Sequence, residues 1–161
     1  MIIFQLILYC AIFTLMVWYS VRKGAIDGLY FYPAAVQERA FELGLTTKED
    51  MQKKRKVFMT AFYIVMLTAL VLIIGVWNGI KDYWAAYVQA LIFLEVMNWF
   101  DGIVIDKIWV GYSKFWIIPG CEDIPYVQTW SQMFKKRVFL TLIWLVGSFL
   151  VAGIVALISL I

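Results

Sequence analysis

Residues 83–106 read YWAAYVQALIFLEVMNWFDGIVID and contain one of four apolar segments in this chain of 161 residues. Each segment is long enough to cross a bilayer as a helix, which needs about 20 apolar residues. We expect helices because strands would leave backbone groups without hydrogen bonds in lipid. The sequence therefore predicts an all-α membrane protein, a four-helix transmembrane bundle that forms a single domain over residues 1–161. The predicted spans are residues 1–21, 57–77, 83–105 and 138–161.

The composition supports this class. Hydrophobic residues make up 64% of the chain and charged residues 16%, whereas soluble domains are about half apolar and a quarter charged. The chain has no histidine, which excludes histidine-based catalytic triads and zinc hydrolase motifs. Its two cysteines, Cys10 and Cys121, are far apart in unlike surroundings, so neither a disulfide nor a thiolate metal site is expected.

The basic residues predict the orientation in the membrane. Residues 22–56 hold eight lysines and arginines and residues 106–137 hold five, but the connection between the second and third spans holds only Lys81. Basic loops stay in the cytoplasm. We therefore predict a multi-pass protein of the inner (plasma) membrane, with the first and third loops cytoplasmic and both termini outside. Its expected partners are membrane lipids and not nucleic acid, since the basic residues set topology.

Both predicted cytoplasmic loops are expected to be structured. In the first loop, a short helix begins at Pro33, and a second helix, capped by Thr46 with Glu49, continues into the second span. The third loop is too apolar and aromatic for a solvated segment, so we predict that it lies at the membrane interface. Two roles for it stay open, namely covering a pocket beside the third span or only anchoring the bundle.

The third span carries an unusual set of polar side chains. At about 100° per residue, Glu95 shares one helix face with three others, and Asp101 lies at the edge of that face. The three others are Asn98, Gly102 and Asp106. Glu95 lies about 18 Å along the helix from Tyr83, near the middle of the membrane, whereas Asp106 lies near the cytoplasmic interface.

A charged side chain at the membrane centre costs at least about 2.5 to 3.5 kcal/mol. Among the acids, Glu95 must therefore be protonated, paired or in a wet cavity, and its partner must come from a loop lysine or arginine, from water or from a bound cation. Two of the acids are candidate catalytic residues, Glu95 and Asp101. Carboxylate oxygens are ligands that Mg²⁺ prefers, so the candidate metal ligands are Asp101 and Asp106. The candidate ligand-binding residues are Asn98, Trp99, Asp106, Trp116, Glu122 and Asp123.

The fourth span carries small residues four apart, at Ser148, Ala152 and Ala156. Such a stripe lets another helix approach closely. The neighbouring helix is either one of the same chain or one of a second copy or a partner membrane subunit.

Three stretches together resemble a family of small integral membrane proteins of bacteria and related microbes. They are YFYPAAVQERAFELGLTTKED, NWFDGIVIDKIW and IIPGCEDIPYV. The shared pattern is an N-x-x-D-x-x-x-x-D span followed by a P-G-x-E-D loop, here at Asn98, Asp101, Asp106, Pro119, Gly120, Glu122 and Asp123. The resemblance implies a membrane location and about four helices but no established activity. Cys121 stands where threonine is expected.

Three functions fit these features. The first is an acidic pocket near the cytoplasmic side that binds or processes a small amphipathic or lipid-like molecule. The second is a small transporter driven by protons or cations, with Glu95 as the residue that loads and unloads a proton. The third is a non-enzymatic subunit or scaffold, in which the acids pair with basic residues of a partner. The sequence favours the first and leaves open whether chemistry occurs there.

Overall fold

The computed structural model describes residues 1–159, and every regular element in that range is a helix. Four helices are long and apolar enough to cross a membrane, which confirms the predicted four-helix bundle. The helices are α1 (Ile2–Val21), the short α2 (Ala34–Glu42), α3 (Lys48–Trp77), α4 (Tyr83–Tyr112) and α5 (Trp130–Ile158). The end of the predicted fourth span, residues 160 and 161, lies outside the described residues.

The first connection is helical, as predicted. Pro33 directly precedes α2, and α3 runs without a break from the connection into the apolar part of the bundle. The N-cap of α3 is Thr47, whose Oγ1 accepts a hydrogen bond from the backbone N–H of Asp50 at 3.2 Å. The predicted cap at Thr46 with Glu49 was therefore one residue too early.

Helix α4 changes its hydrogen-bonding pattern part-way along. It is α-helical over Tyr83–Phe100 and a π-helix over Asp101–Trp109. It ends at Tyr112, beyond the predicted boundary at residue 105. In a π-helix each N–H donates to the carbonyl five residues earlier, so residues five apart lie above one another. This register governs the geometry of the acids in α4.

Helix α5 begins at Trp130, eight residues before the predicted start of the fourth span. Its start is fixed by a capping box. Thr129 Oγ1 accepts from the N–H of Gln132 at 3.3 Å, and Gln132 Oε1 accepts from the N–H of Thr129 at 2.9 Å. Arg137, expected in the third loop, is consequently about two turns inside the helix.

Helices α4 and α5 pack together more extensively than any other pair. The ring of Tyr87 stacks on that of Phe149 with centroids 4.3 Å apart. Ser148 and Ala152 are fully buried within the chain, and Ala156 is half-buried. The small residues thus serve packing inside this bundle, and their use between copies or with a partner subunit stays a prediction.

The segment between α4 and α5, residues 113–129, packs on the first connection. The Tyr32 hydroxyl donates to the carbonyl of Trp116, whose side chain is buried, at 2.6 Å. Gly120 has φ 85°, and a Cβ there would lie 2.6 Å from Cδ1 of Leu43. We call the end of the bundle where these two connections meet the loop end.

Candidate functional site

The centre of the site is Arg137 of α5, whose side chain is only 1% exposed. Its Nη1 donates to Asp101 Oδ2 at 2.7 Å, and its Nη2 donates to Asp106 Oδ2 at 2.5 Å. One guanidinium therefore bridges two carboxylates of α4. Charge-assisted bonds of this length are among the stronger hydrogen bonds in proteins. Pairing with a basic residue, one of the alternatives expected for Glu95, is found here for Asp101 and Asp106, whereas Glu95 accepts a hydrogen bond from Thr141.

The π-helix of α4 makes this bridge feasible. In an α-helix, residues five apart point about 140° away from each other, so Asp101 and Asp106 would diverge. In the π-helix over Asp101–Trp109 they lie on one side of α4. Because the residues up to Phe100 are α-helical, the direction of Asp101 relative to Glu95 is unaffected, and it is Asp106 whose direction the π-helix changes.

Gly102 provides the space for the arginine. A Cβ at this position would lie 2.7 Å from Arg137 Nε and 2.9 Å from the sulfur of Met133. Contacts below 3.0 Å are not tolerated without movement of the neighbours. The absence of a side chain at Gly102 thus lets the stem of Arg137 cross α4 in close contact.

A second set of hydrogen bonds connects this bridge to Glu95. Arg137 Nη1 donates to Asn98 Oδ1 at 3.4 Å, and Asn98 Nδ2 donates to the Arg137 carbonyl at 3.1 Å. Thr141 Oγ1 donates to Glu95 Oε2 at 2.8 Å. The other oxygen, Glu95 Oε1, is buried without a hydrogen-bond partner among the described residues.

Lys136 completes the charge balance at the loop end. Its Nζ lies 3.3 Å from Asp106 Oδ2, and its side chain is 44% exposed. Asp101 and Asp106 therefore face two cations, one buried and one half-exposed. The charges of the two aspartates are therefore balanced by those of Arg137 and Lys136. Glu95 is an additional carboxylate, and its partner is the neutral hydroxyl of Thr141.

The two aspartates also line a cavity of about 250 Å³. Besides Asp101, Asp106 and Lys136, its walls are nearly all apolar or aromatic. They come from α1, the first connection, α3, α4 and the segment 113–129, and they are Phe13, Val17, Phe31, Tyr32, Phe58, Met59, Phe62, Ile105, Val110, Trp116, Tyr126 and Gln128. An apolar cavity with a few convergent polar groups is the usual form of a small-molecule site.

No family model, no curated protein and no solved structure matches this chain. The resemblance to a family of small microbial membrane proteins accordingly stays a prediction.

The structure brings some predicted site residues together and leaves others apart. Asp101, Asp106 and Trp116 line the cavity. Glu95 and Asn98 do not line it but join the network behind Arg137. The other predicted residues lie away from the cavity. The ring of Trp99 packs edge-on against that of Phe134, with centroids 5.1 Å apart. Glu122 and Asp123 are exposed; Glu122 accepts a hydrogen bond from the N–H of Gly120, and Asp123 Oδ2 lies 3.9 Å from Arg39 Nη2.

The donor set does not favour the predicted Mg²⁺. Asp101 and Asp106 each already place one oxygen on Arg137, and Lys136 supplies a further positive charge. Within residues 1–159, no three acidic, cysteine or histidine side chains are grouped as metal ligands. A divalent cation would have to compete with Arg137 and Lys136 for the same carboxylates, so the proposed function includes no metal.

Sequence reasoning missed the inward position of Arg137, Lys136 and Thr141. Two signals could have indicated it. The sequence TWSQ at residues 129–132 is a capping box that starts α5 early. Arg137 and Thr141 are four residues apart, so they share a helix face.

Proposed function

We propose that this protein binds a small amphipathic molecule in the cavity beside Asp101 and Asp106. The apolar body of the ligand lies against the aromatic walls, and a polar head bearing hydroxyl or amine donors reaches the carboxylates and Lys136. One observation carries this proposal: the two carboxylates that Arg137 compensates also line a cavity whose other walls are mostly apolar or aromatic.

The energetics of buried charges support a ligand role. Replacing a buried ion network by well-packed apolar residues is often neutral or stabilising, so such a network is weak evidence for stability. Here the network also stands at a cavity, and Asp101 and Asp106 are 24% and 20% exposed. Carboxylate surface that faces a cavity is available to a ligand.

We further propose that the loop end faces the cytoplasm in a multi-pass plasma-membrane protein. The segments 22–56 and 106–137 carry 13 of the 14 basic residues, and they contribute both connections of this end. Both termini would then be outside. The ligand would enter the cavity from the cytoplasm or from the adjoining leaflet.

The proposal is restricted to binding. A catalytic acid or base must lie within hydrogen-bond reach of the reacting group. Of the two predicted catalytic residues, Asp101 lines the cavity, but Glu95 does not and is held by Thr141. A pair of acids acting on one substrate is therefore not what this geometry offers.

The transporter alternative needs a polar path from one end of the bundle to the other. Polar side chains do occur opposite the loop end, where Asn78 bonds to Gln5 at 2.6 Å and to Gln89 at 3.1 Å. One turn further in, the rings of Tyr9 and Phe93 are in contact and buried. The amides bond to one another, and Glu95 bonds to Thr141 of α5, so they belong to different hydrogen-bonded groups and we favour binding over transport.

The scaffold alternative rested on acids without partners. Arg137 provides the partner within the chain, and Lys136 adds to it. Basic residues of another subunit are thus not needed to compensate Asp101 and Asp106.

Native mass spectrometry of the full chain, extracted in mild detergent, tests the binding proposal. We expect the wild type to carry one small amphipathic molecule. Met59→Trp should lose it, because Met59 lines the cavity and a larger side chain fills the space while the acids are untouched. Ile64→Trp on the same helix is the matched control, since Ile64 is 61% exposed on the outer surface.

A second pair of variants tests the polar part of the site. Asp101→Asn should weaken retention of the same molecule, whereas Asp123→Asn, an exposed acid away from the cavity, should not. A wild type that carries nothing, or a Met59→Trp variant that keeps the molecule, would refute the proposal.

A further inference from the structure

A second cavity, of about 770 Å³, lies between α1 and α3 and is open to the outer surface of the bundle. Its inner part is apolar, with Leu15 and Met16 on α1 and Val57 and Ala61 on α3. Leu15 and Val57 are 61% and 64% exposed, so this wall continues the apolar surface of the bundle. Such a wall is suited to contact with an acyl chain. We call this cavity the α1–α3 groove.

The loop end of the groove is basic. Four cations and two acids line it. Lys54 is paired, because its Nζ lies 2.8 Å from Asp27 Oδ1 and 4.0 Å from Asp50 Oδ2. The other three cations form no ion pair within the part of the chain that the structure describes, and they are Arg22, Lys23 and Lys53. The lining therefore carries a net charge of +2 (four cations less two acids).

These cations lie at the depth of lipid headgroups if α1 spans the membrane. Arg22 directly follows the last residue of α1, and its guanidinium lies 3.9 Å from the ring centroid of Tyr19. Leu15 precedes Arg22 by seven residues, which is about 10 Å along the helix. In the groove, the unpaired cations thus lie about 10 Å along the helix axis from the apolar wall.

We propose that the α1–α3 groove binds an anionic phospholipid, with the phosphate at Arg22, Lys23 and Lys53 and one acyl chain along the apolar wall. Charge complementarity selects the occupant, because clustered lysines and arginines beside a membrane span attract anionic headgroups. The exposed apolar wall selects a lipid over a free phosphate. This site is separate from the Asp101 cavity and does not depend on the function proposed for it, although Phe58 lines both.

The test is native mass spectrometry of the full chain in detergent, titrated with dioleoyl phosphatidylglycerol or dioleoyl phosphatidylcholine. The wild type should bind phosphatidylglycerol in preference. Arg22→Gln/Lys53→Gln should weaken this binding about 25-fold, from about fivefold for each cation near the surface. The matched control is Arg55→Gln/Lys56→Gln, which removes the same two residue types from α3 outside the groove. Three of the four substituted residues lie on α3, Arg22 follows α1, and all four side chains are exposed, so both variants should fold.

The control variant should keep phosphatidylglycerol affinity within about fivefold of the wild type. An equal loss in both double variants would show attraction by net charge only and would overturn the site. Equal binding of the two lipids would overturn the selection for an anionic headgroup. Glycerol phosphate, which has no acyl chain, should not compete; full competition would show a free-phosphate site in place of a lipid site.

Discussion

Substitution of Arg137 by methionine tests the central network. Arg137→Met keeps most of the side-chain volume but leaves Asp101 without a cation and Asp106 with only Lys136. Removing one partner of a buried ion pair costs about 3 to 5 kcal/mol, because a charge stays buried without compensation. The two aspartates are 24% and 20% exposed. We therefore expect a loss near the lower end, about 3 kcal/mol of unfolding free energy.

The assay is equilibrium unfolding of the full chain in mixed micelles with increasing sodium dodecyl sulfate. Arg39→Met is the control, because Arg39 is 42% exposed and its ion pairs are long, at 3.8 and 3.9 Å. Such a surface pair is worth at most about 1 kcal/mol. Adding Asp101→Asn and Asp106→Asn to Arg137→Met should recover most of the lost stability, since neither aspartate position then carries a charge without its cation. If Arg137→Met costs no more than Arg39→Met, Arg137 does not compensate the acids as described.

Two further predictions concern neighbouring features. Gly102→Ala should cost about 1 to 3 kcal/mol of unfolding free energy in the same assay, because its Cβ would lie 2.7 Å from Arg137 Nε. Gly153→Ala is the control and should not destabilise, since a Cβ there has no atom within 4 Å. Equal effects of the two variants would contradict the close contact between Arg137 and α4. Burial raises the pKa of Tyr32 above its ordinary value of 10.0, so the folded state favours the neutral phenol. The contribution of Tyr32 to the free energy of unfolding is therefore complete below pH 10 and is lost as the pH rises further. Unfolding followed from pH 8 to 11.5 should show this alkaline loss in the wild type and a smaller one in Tyr32→Phe, which also removes the bond to Trp116 at a cost of about 1 kcal/mol. Identical pH profiles would contradict it.

The spans could be predicted because apolar runs of this length have few alternatives in lipid. The helical first connection could also be predicted from the local signals at Pro33 and the threonines before α3. Charged residues near a helix end conceal its boundary in the hydrophobic pattern. Lysines and arginines at residues 135–137 ended the apolar run, so the fourth span was placed eight residues too late, although the helix begins at Trp130.

The geometry of the site depends on a π-helix and on long-range contacts, and neither can be predicted from the α-helical period of the sequence. A uniform α-helix separates Asp101 from Asp106, whereas the π-helix over Asp101–Trp109 brings them to one side, where Arg137 and Met133 of α5 approach Gly102. The cavity likewise depends on long-range contacts. Trp116 reaches its wall because the segment 113–129 packs on Tyr32, 84 residues earlier in the chain.

The most direct measurement of the proposed function is an experimental density map of the protein purified from its native membrane. We predict density for one elongated molecule in the cavity, with its polar end within about 3.2 Å of a carboxylate oxygen of Asp101 or Asp106. Its apolar part should lie against Trp116 and Phe58. A cavity closed by these side chains, or a map with Arg137 away from both aspartates, would contradict the account.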